Sequence, residues 1–147
     1  MKKTIIFDLE GTLVDVAGES ISRVFIEEAD LKQLLVGYEV GIVTGATRAQ
    51  LEFVLANTFL GAYFNGNNTV SIDECSEAKA TGKPFQILLD RGFAVPVVIV
   101  GDSEGDKLGA ESLGVDFVNV NTPELIAENT FFKYLEEAKN YLESSRL

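Results

Sequence analysis

The chain alternates short, unbroken apolar runs with longer stretches in which apolar residues recur every three or four positions. Ile5-Ile6-Phe7, Val40-Gly41-Ile42-Val43 and Val97-Val98-Ile99-Val100 lack polar alternation, the mark of strands covered on both faces. They predict strands over residues 3–8, 40–43 and 97–100, with shorter ones over 62–64 and 116–120. The last of these is the least apolar and is expected near a sheet edge. Helical spacing is read over 19–35, on Ile21, Val24, Phe25, Ala29, Leu31, Leu34 and Leu35, with Glu19 or Ser20 as the start and Gly37 as the stop. A second helix is read over 47–60, on Leu51, Val54, Leu55 and Phe59, closed by Gly61. Further helices are expected over 84–91, with Pro84 in the first turn and Gly92 after the last, over 106–113 before Gly114, and over 129–142. Residues 14–18 read as a short irregular connection and 65–69 as a turn or exposed loop. This order predicts an α/β fold, a three-layer doubly wound (Rossmann-like) sandwich with a central, mainly parallel five-stranded sheet. With no repeat, low-complexity segment or linker, residues 1–147 are expected to form a single domain.

Chemistry enters at the strand ends. The first apolar run drives into Asp8, the second into Thr44-Gly45, and the third into Gly101-Asp102. In an open α/β sheet, ligands bind outside the carboxyl ends of the strands. If these strands are neighbours, Asp8, Thr44 and Asp102 converge on one site.

Composition narrows the chemistry. A formal net charge of −11 argues against a broad basic surface for nucleic acid or anionic membrane. It leaves room for a small phosphate compound, since a divalent cation and one lysine can invert the charge of a single pocket. The chain has no histidine, which excludes Ser-His-Asp and Cys-His catalysis and histidine-ligated zinc. Proton transfer must then fall to Asp, Glu, Lys, Tyr, Cys or water. The single cysteine, Cys75, rules out an internal disulfide and sits in a polar stretch without activating neighbours. With no membrane-length apolar run and no signal-peptide pattern, a cytoplasmic location is expected.

Four motifs follow one another in the chain. Phe7-Asp8-Leu9-Glu10-Gly11-Thr12-Leu13 resembles the first motif of the haloacid dehalogenase (HAD) superfamily, Asp-x-Asp-Gly-Thr. Val43-Thr44-Gly45 is similar to the second, Lys83 in Gly82-Lys83-Pro84 to the third, and Gly101-Asp102-Ser103-Glu104-Gly105-Asp106 to the fourth. Thr47-Arg48-Ala49-Gln50-Leu51-Glu52, together with Gly-Lys-Pro, also resembles the phosphoglycolate-phosphatase-like branch, although Phe85-Gln86 follow where that branch commonly has a second proline. The resemblance implies a HAD-type hydrolase, a phosphoric monoester hydrolase dependent on Mg²⁺.

The residues suit that reaction. Phosphoryl transfer to water needs a nucleophile, charge neutralisation and a proton donor for the leaving group. Asp8 would be the nucleophile and carry an aspartyl-phosphate. Asp8 and Asp102, with the Glu10 backbone carbonyl, offer an all-oxygen site for Mg²⁺, and Asp106 would hold a metal-bound water or Lys83. Lys83 would present its charge to the phosphate and to Asp8, and Thr44 with Gly45 would contact phosphate oxygens. Glu10 departs from the family's usual Asp, keeping the carboxyl but extending it by a methylene. A displacement of about 1 Å can cost on the order of a hundredfold in rate. This leaves two readings: a working phosphatase, or a catalytically weakened phosphate-binding or regulatory protein on the same fold. A receiver-type signalling domain is disfavoured, because it carries its phosphorylated Asp on a later strand. Plainer roles exist for each residue: a turn for Asp8, a helix cap for Thr44, a surface lysine for Lys83 with Lys79 close by, and a helix N-terminal acid for Asp106.

No cap domain is expected. Only about twenty-five residues separate Asp15 from the second predicted strand, and the stretch between Thr44 and Lys83 is filled by a helix, a short strand and a loop. An uncapped site admits a phosphorylated small molecule or an exposed phosphate on a larger molecule, and it can also be closed by a neighbouring subunit of a homo-oligomer.

Overall fold

The computed structural model describes residues 3–17, 20–94 and 96–120. The helix expected over 129–142 lies outside the described residues. In chain order the elements are β1 (Lys3–Phe7), β2 (Val14–Ala17), β3 (Ser20–Val24), α1 (Glu28–Gly37), β4 (Tyr38–Val43), α2 (Arg48–Ala56), β5 (Thr69–Val70), α3 (Lys83–Asp90), β6 (Pro96–Gly101), α4 (Glu104–Leu113) and β7 (Asp116–Asn119). Short 3₁₀ turns occupy Phe59–Ala62 and Lys79–Thr81.

Five strands form one parallel sheet in the order β5-β4-β1-β6-β7, so the first strand lies in the middle and the last at an edge, as its composition foretold. Alternation along the strands explains the unbroken apolar runs. Ile5 and Phe7 of β1, Val40 and Ile42 of β4, and Val98 and Val100 of β6 pack into one core with Leu31 and Leu34 of α1 and Leu51 and Val54 of α2. Ile6, Val43, Val70 and Ile99 point the other way, against Phe85 and Leu88 of α3 and Ala110 of α4. The chain moves outward from β1 through β4 to β5, then crosses back to place β6 on β1's other side. Strand order therefore reverses beside β1, and a crevice at such a reversal is where α/β sheets bind ligands.

Three stretches depart from the sequence reading. The helix read over 47–60 ends at Ala56, because Thr58 caps a separate 3₁₀ turn, Phe59–Ala62, that contains Gly61. Val14–Ala17 and Ser20–Val24 pair as antiparallel strands instead of forming a loop followed by the first half of a helix, and the helix begins only at Glu28. The spacing of Ile21, Val24 and Phe25 fits a helix, but it also fits a bulged strand. Val14 pairs with Val24 and Val16 with Ile21, and a register shift between Asp15 and Val16 lets apolar residues three apart pack against the same core. Ser22 Oγ ties the hairpin by donating to the Asp15 carboxylate at 2.9 Å. The strand expected over 62–64 is instead Thr69–Val70, and the Asn-rich segment before it is a built turn. Asn65 N donates to Asn68 Oδ1 at 2.7 Å, and the Asn68 amide donates to the Val40 carbonyl of β4 at 3.2 Å. That bond fixes where β5 can start, which apolar content alone cannot indicate. Among the described residues no cap domain interrupts the chain, and no helix is long and apolar enough to cross a membrane.

The loop from β4 into α2 is held from below by Arg48. Its guanidinium donates to Thr69 Oγ1 at 2.8 Å, to the Thr69 carbonyl at 3.2 Å, and to Glu74. The Arg48 backbone N–H donates to Asp73 at 2.8 Å, and Thr47 closes the helix start in a capping box with Gln50. Burial opposes ionisation of Glu74, but bonds from Arg48 and from the Ser71 side chain and backbone outweigh it and hold the carboxyl down at about 2.

A carboxyl depressed on folding contributes stability above its unfolded value and loses it as pH falls through the folded one. Glu74→Gln is therefore expected to cost about 1–2 kcal/mol at pH 7. In urea titrations across pH, the gap between wild type and variant should narrow below about 4.5 as Glu74 protonates. A gap that does not change with pH would show that the Arg48–Glu74 charge pair contributes nothing.

Candidate active site

Asp8 directly follows β1 at the point where strand order reverses, and its backbone N–H still donates to Val100 of β6 at 2.9 Å. The chain then turns tightly, with the Leu9 carbonyl accepting from Leu13 at 2.9 Å and Val14 at 3.1 Å. Gly11 makes this turn with φ +80°, and any Cβ there would collide with the Asp102 carboxylate. Glycine is required on both counts. Asp102 follows β6, and Ser103 then caps α4 by accepting from the Asp106 N–H at 3.3 Å. This cap places Asp106 on the first turn of α4, fully buried, where Ser103 Oγ also donates to its carboxylate at 2.7 Å.

One carboxylate oxygen from each of Asp8, Asp102 and Asp106 lies within 4.8 Å of the others. The cation in this cluster is Lys79. Its Nζ donates to Asp8 Oδ1 at 2.7 Å and to Asp106 Oδ1 at 2.9 Å. Lys83 is not there: its side chain is 64% exposed and its Nζ pairs with Glu77 at 3.2 Å. The reason is local. Gly82, left-handed at φ +80°, caps α3, so Lys83 starts the helix with Pro84 and leans away from the strand ends. Lys79 lies in the preceding 3₁₀ turn, alongside α4. Gly109 of α4 permits that approach, since a Cβ there would stand 2.5 Å from the Lys79 carbonyl and closer still to the Phe85 ring. Nothing in Gly-Lys-Pro marks this difference. The available signal was a second lysine one turn upstream, and choosing between the two required the packing of α4.

Electrostatics follow from one ammonium among several acids. Burial pushes the Asp8 carboxyl up, Lys79 pulls it down, and the neighbouring Asp102 raises it again, to about 6. Burial and the charge of Asp8 raise Asp106 too, against Lys79 and Ser103. Burial alone would lower Lys79, but Asp8 and Asp106 outweigh it and keep the ammonium charged. Hard oxygen ligands with surplus negative charge are the donor set of Mg²⁺, so these residues fit that ion.

Thr44 ends β4, with its backbone N–H donating to Val70 at 2.9 Å and its Oγ1 accepting from Ala46 N–H at 3.1 Å. The helix cap is Thr47, so Thr44 is left as the buried hydroxyl of the loop. Gly45 beside it is exposed. The Glu10 carboxylate stands outside the acidic cluster. Glu10 is exposed, bridges to Val14 at the base of the hairpin, and borders a cavity of about 520 Å³ between the hairpin and α2.

Comparison with solved structures finds this architecture elsewhere. The chain is similar to a HAD-superfamily hydrolase of subfamily IA, variant 1, from Geobacter sulfurreducens, with TM-score 0.67 and 18% identity over 83% of this chain and 88% of that one. It is also similar to a protein from Lactobacillus plantarum assigned as a phosphoglycolate phosphatase, with TM-score 0.64 and 16% identity over 87% and 92% of the two chains. A hypothetical protein from Xanthomonas campestris aligns with TM-score 0.56 and 18% identity over 97% and 86%. No family model and no curated protein matches the sequence. At these identities the likeness is one of fold, and the fold is HAD-like.

Two outcomes test this geometry through stability. Asp8 is raised from 3.8 to about 6 on folding, so its contribution is present below pH 4 and lost as pH rises through 6. The melting temperature of the metal-free wild type should therefore fall relative to Asp8→Asn across that window, and millimolar Mg²⁺ should restore the wild type more than the variant. Lys79→Met leaves buried acids without their cation and should cost about 3 kcal/mol. Lys83→Met should stay within about 0.5 kcal/mol of wild type, and equal losses from the two would overturn the assignment of Lys79.

Proposed function

We propose that this HAD-fold chain is a Mg²⁺-dependent phosphatase that hydrolyses phosphomonoesters through an aspartyl-phosphate on Asp8. The observation that carries the reading is the buried Asp8 at the sheet's reversal point, gripped by Lys79 and within 4.8 Å of the Asp102 and Asp106 oxygens. The HAD hydrolases of like fold support it.

Mg²⁺ held by the carboxylates of Asp8, Asp102 and Asp106, together with the Glu10 backbone carbonyl, would neutralise the phosphate's charge as it meets Asp8. Lys79 holds Asp8 Oδ1, which orients the carboxylate and leaves Oδ2 to attack phosphorus. As that P–O bond forms, the ester P–O bond breaks, and the leaving alkoxide takes a proton from the Glu10 carboxyl. Water then attacks the phosphorus of the aspartyl-phosphate while the Glu10 carboxylate takes its proton. The bond to Asp8 breaks, inorganic phosphate leaves, and both acids return to their starting forms. The Thr44 hydroxyl and the Gly45 N–H donate to phosphate oxygens, and the Lys79 ammonium adds charge stabilisation where it develops. Asp106 also fixes the position of Lys79. With no cap domain among the described residues, the substrate is a phosphorylated small molecule or an exposed phosphate on a larger one.

A second reading rests on Glu10, whose added methylene and exposed position can leave phosphate bound but not turned over. Release of phosphate from an aryl phosphate separates the two. Wild type should release phosphate only with Mg²⁺, and Asp8→Asn should fall to background. Lys79→Ala should lose about 10²–10³-fold in kcat/KM, while Lys83→Ala should stay within about threefold. Glu10→Asp, restoring the shorter acid, should change the rate by up to about a hundredfold. Turnover that survives in Asp8→Asn would sink the mechanism. A silent wild type beside an active Glu10→Asp would establish the binding role instead.

A further inference from the structure

The cavity of about 520 Å³ beside Glu10 has the size of a small-molecule pocket, and its lining begins at Leu9, the residue after Asp8. Leu9 and Glu10 follow the nucleophile in the chain, and Ala46, on the opposite wall, has its N–H bonded to Thr44. The remaining wall comes from Val16 of β2 and from Ala49, Gln50, Phe53 and Val54 of α2. A phosphate centred between Asp8 and Thr44 would have its organic part lie along this wall.

Two features define what fits. The wall is mainly apolar, and Phe53 leaves 42% of its surface exposed there, so a ring seated against it removes apolar area from water on both sides. The ionisable residue of the wall is Glu10. Two cations of the neighbouring segments are engaged elsewhere: the Arg48 guanidinium with Glu52, Thr69 and Glu74, and Lys79 with Asp8 and Asp106. A second anionic group on the substrate would meet no lysine or arginine among the described residues of this lining and would face Glu10. Gln50 supplies a polar handle: its Oε1 accepts from Thr47 N–H at 2.9 Å, leaving its NH₂ as the donating end.

We propose that this cavity is the leaving-group pocket and that it selects phosphate esters of uncharged, ring-sized apolar alcohols over esters of small hydroxy acids. The proposal rests on the phosphatase reading for its chemistry. It also separates this chain from the substrate named for the Lactobacillus protein, whose organic part is a carboxylate.

Calorimetric titration of the full chain with non-hydrolysable phosphonates in Mg²⁺ tests it, alongside turnover of the matching esters. Phenylphosphonate should bind at least about tenfold tighter than methylphosphonate, and phosphonoacetate no tighter than methylphosphonate. Ala49→Phe, which fills the cavity from an exposed position, should erase the ring's advantage. Phe53→Ala should weaken phenylphosphonate in the same direction and guards against misfolding of the first variant. Phosphonoacetate binding tightest, a ring advantage that survives Ala49→Phe, or no phosphonate binding at all would overturn the proposal. A ring advantage lost in Ala49→Phe with no ester hydrolysed would keep the pocket and sink the phosphatase reading. Asp8-dependent hydrolysis of acetyl phosphate without a ring advantage would do the reverse.

Discussion

The site depends on one ammonium held between two buried carboxylates. Lys79 reaches Asp8 and Asp106 at once, and without it neither acid could remain charged away from water. Its single charge does not balance the cluster, and the raised carboxyl of Asp8 expresses that imbalance. The sheet around the cluster holds it in place: Ile5, Ile6 and Phe7 are fully buried and anchor the backbone that ends in Asp8.

Each member of the cluster arrives by a separate local device. Asp8 and Asp102 are placed by neighbouring parallel strands whose registers set their ends side by side. Asp106 is placed by the Ser103 cap of α4. Lys79 comes from a one-turn 3₁₀ segment that α4 can approach only because position 109 carries no side chain. The Thr44 loop is braced from the far side by Arg48 and Glu74. These devices lie far apart in sequence, so convergence on one point is a property of sheet order and helix packing.

The β2–β3 hairpin has a separate role. It follows the turn after Asp8 and contributes to one wall of the cavity, with α2 on the other. In a chain without a cap domain among its described residues, this hairpin and the first turns of α2 are what stand beside the reaction centre. Glu10, Ala49 and Phe53 are among the side chains this arrangement turns toward the cavity.

The sequence by itself determined the doubly wound sheet, the central place of the first strand's motif, and the acids at the strand ends. Short unbroken apolar runs bounded by turn residues suit strands buried on two faces, and such strands end at the ligand edge of a parallel sheet. Asp8, Thr44 and Asp102 were legible for that reason, and Asp106 through its place in the Gly-Asp-Ser-x-x-Asp motif. The hairpin was not, because Ile21, Val24 and Phe25 have the same spacing on a helix as on a bulged strand, and only pairing with Val14 and Val16 decides between them. The position of β5 was hidden in Asn68, whose amide bond to Val40 acts across the sheet. The choice of Lys79 over Lys83 belonged wholly to tertiary structure. Two lysines four residues apart are equivalent to a motif, but helix α3 begins at the second, and only the first lies where α4 brings Asp106 within reach.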